Sequence, residues 1–111
     1  MKSKDTPEET ENYRTSILSE AINLINGDRN TTYGDPLEDF SITSSFWQTY
    51  LARTMVARGS LDIQPHDVAV LMILLKISRL SWSPEKRDHW ADIAGYTGCG
   101  YDCVMREAKY I

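Results

Sequence analysis

Four charged residues lie where a helical reading of the chain puts apolar surface. Lys76 and Arg79 follow the apolar run 68–75 and interrupt its helical surface on the side of Val68 and Met72, and Asp88 and Asp92 come after a short turn, four residues apart and therefore on one side of a helix. Charges set into an apolar face need partners. Counting outward from the turn near Trp82 brings Lys76 level with His89, which makes Asp88 and Asp92 the nearest carboxylates. Two chemistries follow. The four groups can close on one another as a structural ion-pair network. Alternatively they line a pocket in which Asp88 and Asp92 hold Mg²⁺, while Lys76 and Arg79 take phosphate oxygens, the arginine through its planar fork.

The segment 28–34 offers a second candidate surface. It reads as a polar loop in which Arg29 reaches a phosphate, Tyr33 stacks on a base and Gly34 lets backbone approach closely. His66 and His89 each stand alone, without a Ser, Cys or second His at fixed spacing, and are read as non-catalytic. Cys99 and Cys103, four apart in one helix, suit neither an unstrained disulfide nor a complete zinc site and are read as small buried thiols. Gly95, Gly98 and Gly100 fall in a helix with no preceding strand, so they are packing points rather than a phosphate cradle.

The elements that must position these residues are helices. With 111 residues, 41% hydrophobic and 25% charged, the chain suffices for one small domain. A net charge of −4 weighs against non-specific nucleic-acid binding. No run approaches the roughly 18–20 apolar residues of a membrane span, and the start lacks the apolar core of a signal peptide, so a soluble protein of the cytoplasm is expected. Residues 1–11 read as an acidic, disordered tail and 12–111 as a single all-α domain.

Ile17, Leu18, Ala21, Ile22, Leu24 and Ile25 space a first helix that Gly27 ends. Asp35 as N-cap, Pro36 at the first helical position and Glu38 two residues later open a second, closed at Gly59. Its expected buried stripe is Leu37, Phe40, Trp47, Leu51 and Met55. Pro65 opens a third helix with His66 and Asp67 in its first turn, apolar on every side over 68–75. Ser83-Pro84-Glu85 reads as the cap and first turn of a fourth, antiparallel to the third. That helix carries two stripes, one of Asp88, Asp92, Tyr96, Cys99 and Cys103, the other of Trp90, Ile93, Thr97, Tyr101 and Val104. Two faces on one helix, beside a helix apolar all round, point to a four-helix-bundle-like domain that assembles into a homo-oligomer.

The stretches Ile25-Asn26-Gly27-Asp28-Arg29-Asn30, Tyr33-Gly34-Asp35-Pro36, Asp67-Val68-Ala69, Lys76-Ile77-Ser78-Arg79 and Asp92-Ile93-Ala94-Gly95-Tyr96, with Phe40 and Trp47, together resemble a family of small uncharacterised helical proteins of bacteriophages, especially those of actinobacteria. More distantly, the Tyr-Gly segment, Lys-x-x-Arg and Asp-x-x-x-Asp…Tyr resemble the phage nucleotide-modification-associated helical domains and the all-α nucleoside triphosphate pyrophosphohydrolases of the MazG type. That resemblance implies an oligomer that holds Mg²⁺ on acidic motifs of two helices. The chain departs from the pattern where Lys76 and Arg79 replace acidic ligands, leaving Asp88 and Asp92 alone for the metal.

Three functions are therefore expected to compete. The first is a non-catalytic oligomer that binds a nucleotide or another phosphate-containing small molecule through Arg29, Tyr33, Lys76 and Arg79, and in a phage setting sequesters a host defence signal in the host cytoplasm. The second is a Mg²⁺-dependent nucleotide hydrolase centred on Asp88 and Asp92. The third is an inhibitor that meets a host protein through the aromatic surface of Trp47, Tyr50 and Trp90. The basic pair and the sparse acidic ligands favour the first.

Overall fold

A computed structural model describes residues 7–27 and 29–107, with side chains from Asn12 onward. The described chain is all helical: α1 (Pro7–Asn26), the single-turn α2 (Arg29–Tyr33), α3 (Pro36–Arg58), α4 (Pro65–Leu80) and α5 (Arg87–Arg106). The backbone of α1 takes in residues 7–11 of the acidic stretch, whereas residues 1–6 lie outside the described residues.

The helix boundaries follow local chemistry. Asp35 accepts hydrogen bonds from the Leu37 and Glu38 amides at 3.1 and 3.4 Å, satisfying two of the orphan donors of α3. At the other end Gly59 takes φ 81°, a left-handed conformation that closes the helix through a bond from its N–H to the Met55 carbonyl. Asp67 accepts from the Gln64 amide at 2.7 Å and opens α4. Helix α5 begins at Arg87, later than Ser83-Pro84-Glu85 predicts. The Ser83 hydroxyl donates across the chain to the Thr32 carbonyl, and residues 83–86 form a turn closed by the Lys86 N–H on the Ser83 carbonyl at 3.2 Å before the helix starts.

The expected loop 28–34 contains a helical turn, α2, while Asp28 lies outside the described residues. A five-residue helix has no intrinsic stability. Its terminal carbonyls are held from outside, because Trp82 Nε1 donates to Thr31 at 3.1 Å and Ser83 to Thr32. Gly34, at φ 81°, packs its bare Cα against the Trp82 ring, where a Cβ would come within 3.1 Å. The close approach expected there is therefore to an indole.

The largest interface joins α4 and α5. Ala69 lies against Gly100 and Lys76 meets Asp92, so residue numbers rise on one helix as they fall on the other, an antiparallel pair. The side of α5 that faces α4 runs through His89, Tyr96, Gly100 and Cys103, so it keeps Tyr96 and Cys103 of the first expected stripe, adds His89 and Gly100, and leaves Cys99, Trp90 and Tyr101 exposed. Of the three helical glycines only Gly100 is a packing point; no atom stands within 4 Å of a Cβ built at Gly95 or Gly98. Helix α3 lies on α4, pinned by Trp47 Nε1 donating to the Leu71 carbonyl at 2.7 Å.

The core is thin. Among the described residues the buried hydrophobic side chains are Ala69 and Leu71, each 9% exposed. Leu37, Phe40 and Met55 of the expected α3 stripe are exposed, and only Trp47 and Leu51 are half-buried. Helix α1 meets α2 and makes no extensive contact with α3, α4 or α5. The radius of gyration, 18.8 Å, exceeds the about 13 Å of a compact chain of this length. Among the described residues no helix is long and apolar enough to cross a membrane.

Candidate functional site

The residues that could bind an anion gather where α2, the start of α3, the end of α4 and the start of α5 meet. Asp39, 5% exposed, is the anchor. Arg29 donates through Nη2 to Asp39 Oδ2 at 2.9 Å and through Nη1 to the Gly34 carbonyl at 3.2 Å. Arg79 comes from the last turn of α4, with Nε 3.7 Å from the same carboxylate oxygen. Its guanidinium lies over the Tyr33 ring, 4.2 Å from the centroid, while that of Arg29 sits 5.6 Å from the Tyr33 centroid and 5.1 Å from that of Phe40. Stacking and the shared carboxylate hold two guanidiniums side by side, an arrangement that their mutual repulsion would otherwise open.

The structure thus brings Arg29, Tyr33 and Arg79 together. Lys76 lies deeper along α4 and pairs with Asp92 at 2.9 Å, so half of the expected ion-pair network forms. Asp88 stands exposed in the first turn of α5, and Arg79 turns away from it to Asp39 and Tyr33. Asp92 meets Lys76 through Oδ2, one turn along α5 from Asp88. Among the described residues no three His, Cys, Asp or Glu side chains converge as a metal-ion cage.

Two residues of the candidate site, Asp39 and Lys86, escape the sequence reading, and His89 takes a place there that the sequence does not assign it. Asp39 looks like any acidic residue in the first turn of a helix, and only the fold shows it to be buried between two arginines. Lys86 lines the neighbouring groove and makes no ion pair among the described residues. His89 is 2% exposed and neither ring nitrogen has a hydrogen-bond partner. Its ring lies 6.0 Å from that of Tyr33. Burial, followed by the positive charges of Lys76, Arg79 and Lys86, lowers its pKa below the ordinary imidazole value, so it is neutral. Arg29 and Arg79 share the buried carboxylate of Asp39, Lys76 is paired with Asp92, and Lys86 makes no ion pair among the described residues, while Glu38 lines a small cavity with Tyr33, Gly34 and Asp39.

Beside this cluster opens a groove of about 360 Å³ lined by Leu24, Ile25, Arg29, Thr32, Tyr33 and Lys86. Apolar side chains with an aromatic ring and a few cations are the usual composition of a small-molecule site.

A second polar cluster fastens the end of α3 to the start of α4. Asp67, fully buried, receives Arg58 Nη1 at 2.6 Å and Nη2 at 3.0 Å, the Tyr50 hydroxyl at 2.6 Å and the Gln64 amide. His66 Nε2 lies 3.4 Å from the same carboxylate. Burial alone would raise the Asp67 pKa, but the hydrogen bonds and charge of Arg58, with those of Tyr50 and Gln64, hold it well below the carboxylate range. Tyr50 is pushed up to about 12 by burial and by its bond to Asp67. Both carboxylate oxygens of Asp67 are engaged within the chain, as a structural cluster requires. It also places Tyr50 and Trp47 on the inner side of α3, leaving Trp90 as the exposed member of the expected aromatic surface.

Fold and site together define a small all-α protein with a basic, aromatic-lined groove. Comparison with known proteins agrees with the phage resemblance. Residues 16–104 match the family described as Domain of unknown function (DUF6378), and the chain belongs to that family. It is 43% identical over 84 residues to the Gene 55 protein of Mycobacterium phage D29, covering 76% of this chain and 50% of the relative. It is 40% identical over 83 residues to the Gene 55 protein of Mycobacterium phage L5, covering 75% and 49%. The chain therefore spans about half the length of the curated relatives it matches. No solved structure matches it.

Proposed function

We propose that the chain binds a phosphate-bearing, nucleotide-like small molecule in the groove between the end of α1, α2 and the start of α5, and holds it without chemical change. The observation that carries this reading is the convergence of cations on Tyr33. The guanidiniums of Arg29 and Arg79 lie against its ring and share the carboxylate of Asp39, and Lys86 lines the groove beside it without an ion pair among the described residues. A base stacked in the groove at Tyr33 would set its phosphates near Lys86 and the arginines, where charge-assisted bonds are about twice as strong as neutral ones. In the phage setting that the relatives suggest, such a protein would sequester a nucleotide signal of host defence.

The Mg²⁺-dependent, pyrophosphohydrolase-like alternative asks more of the same residues. Asp92 would have to release Lys76 before it could join Asp88 around a cation. Titration calorimetry with nucleoside mono- and triphosphates and cyclic dinucleotides, with and without Mg²⁺, tests the reading. Binding should be weakened roughly tenfold or more in Lys86→Ala and Tyr33→Ala, because each removes a contact worth about 1.5 kcal/mol. The nucleotide should be recovered intact. Absence of binding by any member of the panel overturns the proposal, and Mg²⁺-dependent cleavage replaces it with the hydrolase.

A further inference from the structure

Helix α1 divides into two halves. Taking 100° per residue, Tyr13, Ile17, Leu18, Ala21, Ile22, Leu24 and Ile25 occupy one side of about 180°, interrupted only by Arg14. Thr15, Ser16, Ser19, Glu20, Asn23 and Asn26 occupy the other. A helix so divided has a face that belongs against another apolar surface, yet Ile17, Leu18, Ile22 and Leu24 are all more than half exposed.

A matching surface exists on the same chain but away from this helix. Two adjoining grooves, of about 310 and 500 Å³, run along α3 and share Ser44 and Trp47. Together they extend from Phe40 past Leu51 and Ala52 to Met55 and Leu61. At 1.5 Å per residue the groove from Phe40 to Met55 is about 22 Å long, and the apolar side of α1 from Tyr13 to Ile22 about 14 Å, short of Leu24 and Ile25, which line the groove beside Tyr33. The small residues Ser44 and Ala52 leave room for a helix to approach. The chain's own α1 does not fill the groove, because α2, to which it is joined, is tied to the Trp82–Ser83 turn on the other side of the site.

We infer that a second copy of this chain supplies the missing cover, each α1 lying in the α3 groove of the other subunit. The area agrees. A compact monomer of 12.7 kDa exposes roughly 6,200 Å², whereas this chain exposes 8316 Å², leaving an excess of about 2,000 Å². A stable interface removes about 800 Å² or more from each partner, and obligate homodimers remove more. Exchange is reciprocal, so one contact type is made twice and the assembly closes with twofold symmetry. A membrane surface is a poorer occupant, since the polar side of α1 carries Ser, Thr, Asn and Glu20 where interfacial helices carry Lys and Arg.

The test is the mass of the full chain in solution by light scattering and native mass spectrometry. Twice the chain mass is expected. Ile17→Glu on α1 and Met55→Lys on α3 change exposed side chains, so each variant should keep its helical circular dichroism while its mass falls to that of one chain. A monomeric wild type overturns the inference. So does a dimer that survives both single substitutions, which would place the interface elsewhere, with exposed Trp90 and Tyr101 of α5 the next face to substitute.

Discussion

Arg58, in the last turn of α3, grips Asp67, in the first turn of α4, through two bonds of 2.6 and 3.0 Å. Because the carboxylate is fully buried, the pair sets the angle at which the two helices leave their connection. Asp67→Ala takes the buried carboxylate from Arg58, Tyr50 and the Gln64 amide together and should cost about 3–5 kcal/mol, read as a large drop in the denaturant midpoint. Tyr50→Phe removes one bond and should cost about 1–2 kcal/mol. Asp67 also dictates behaviour in acid. Its folded pKa lies below its unfolded value near 3.8, so its contribution is complete above that pH and fades as pH falls toward the folded value. The wild type should lose stability below about pH 4, and Asp67→Asn should lack that component.

His89 gives a separate acid response. Its neutral folded form has a pKa below the ordinary 6.5, so between the two values the unfolded chain binds a proton that the folded chain refuses. Stability should therefore fall as pH drops below about 6.5, two units before Asp67 begins to contribute. The imidazole is faced by Tyr33, Lys76, Arg79 and Lys86, with Asp92 as the opposing charge. His89→Phe should flatten the melting temperature between pH 6.5 and 5, checked by differential scanning calorimetry.

Glycines 98 and 100 should respond oppositely to alanine. A Cβ on Gly100 would lie 2.9 Å from the Cβ of Ala69, so Gly100→Ala forces α4 and α5 apart and should cost about 1–3 kcal/mol. Ala69→Gly in the same chain should recover part of the loss. Gly98 has open space, and Gly98→Ala should stabilise by about 0.5–1 kcal/mol through helix propensity. Urea midpoints of the four proteins decide it.

Lys76 and Arg29 look alike as helix-borne cations but sit in different surroundings. The Asp92 side chain that pairs with Lys76 is 46% exposed, whereas Asp39 is buried between Arg29 and Arg79. Lys76→Ala should cost no more than about 1 kcal/mol. Arg29→Ala loses its bonds to Asp39 and Gly34 and should cost about 2–4 kcal/mol. A double-mutant cycle of Arg29→Ala with Asp39→Ala should show coupling above about 1 kcal/mol.

Much of this architecture is legible in local chemistry. Asp35-Pro36 and Gly59 bound α3 because caps depend on residues close in sequence. The level of Lys76 with the start of α5 was accessible too, since a short turn fixes the register of an antiparallel pair, and Lys76 finds Asp92. Arg79 was misassigned a partner because Asp39, forty residues earlier, competes with the nearer Asp88 and wins by being desolvated beside Arg29. The inward line of α5 was misplaced because His89 and Gly100 are not apolar residues, and a count of hydrophobic positions passes over them. The exposure of α1 was hidden for the opposite reason: its pattern states that it must be covered and not by what.

The bonds from Trp82 and Ser83 to Thr31 and Thr32 join segments 51 residues apart. By contrast the α4–α5 hairpin is built from near neighbours across a short turn. Local contacts form quickly, while closing a loop of fifty residues must wait until its entropy is repaid. The hairpin is therefore the natural nucleus, and α2, which carries Arg29 and Tyr33, is the last piece to arrive and the first to leave. The basic groove would then exist only in the fully assembled chain, and amide hydrogens of 29–34 should exchange well before those of α4.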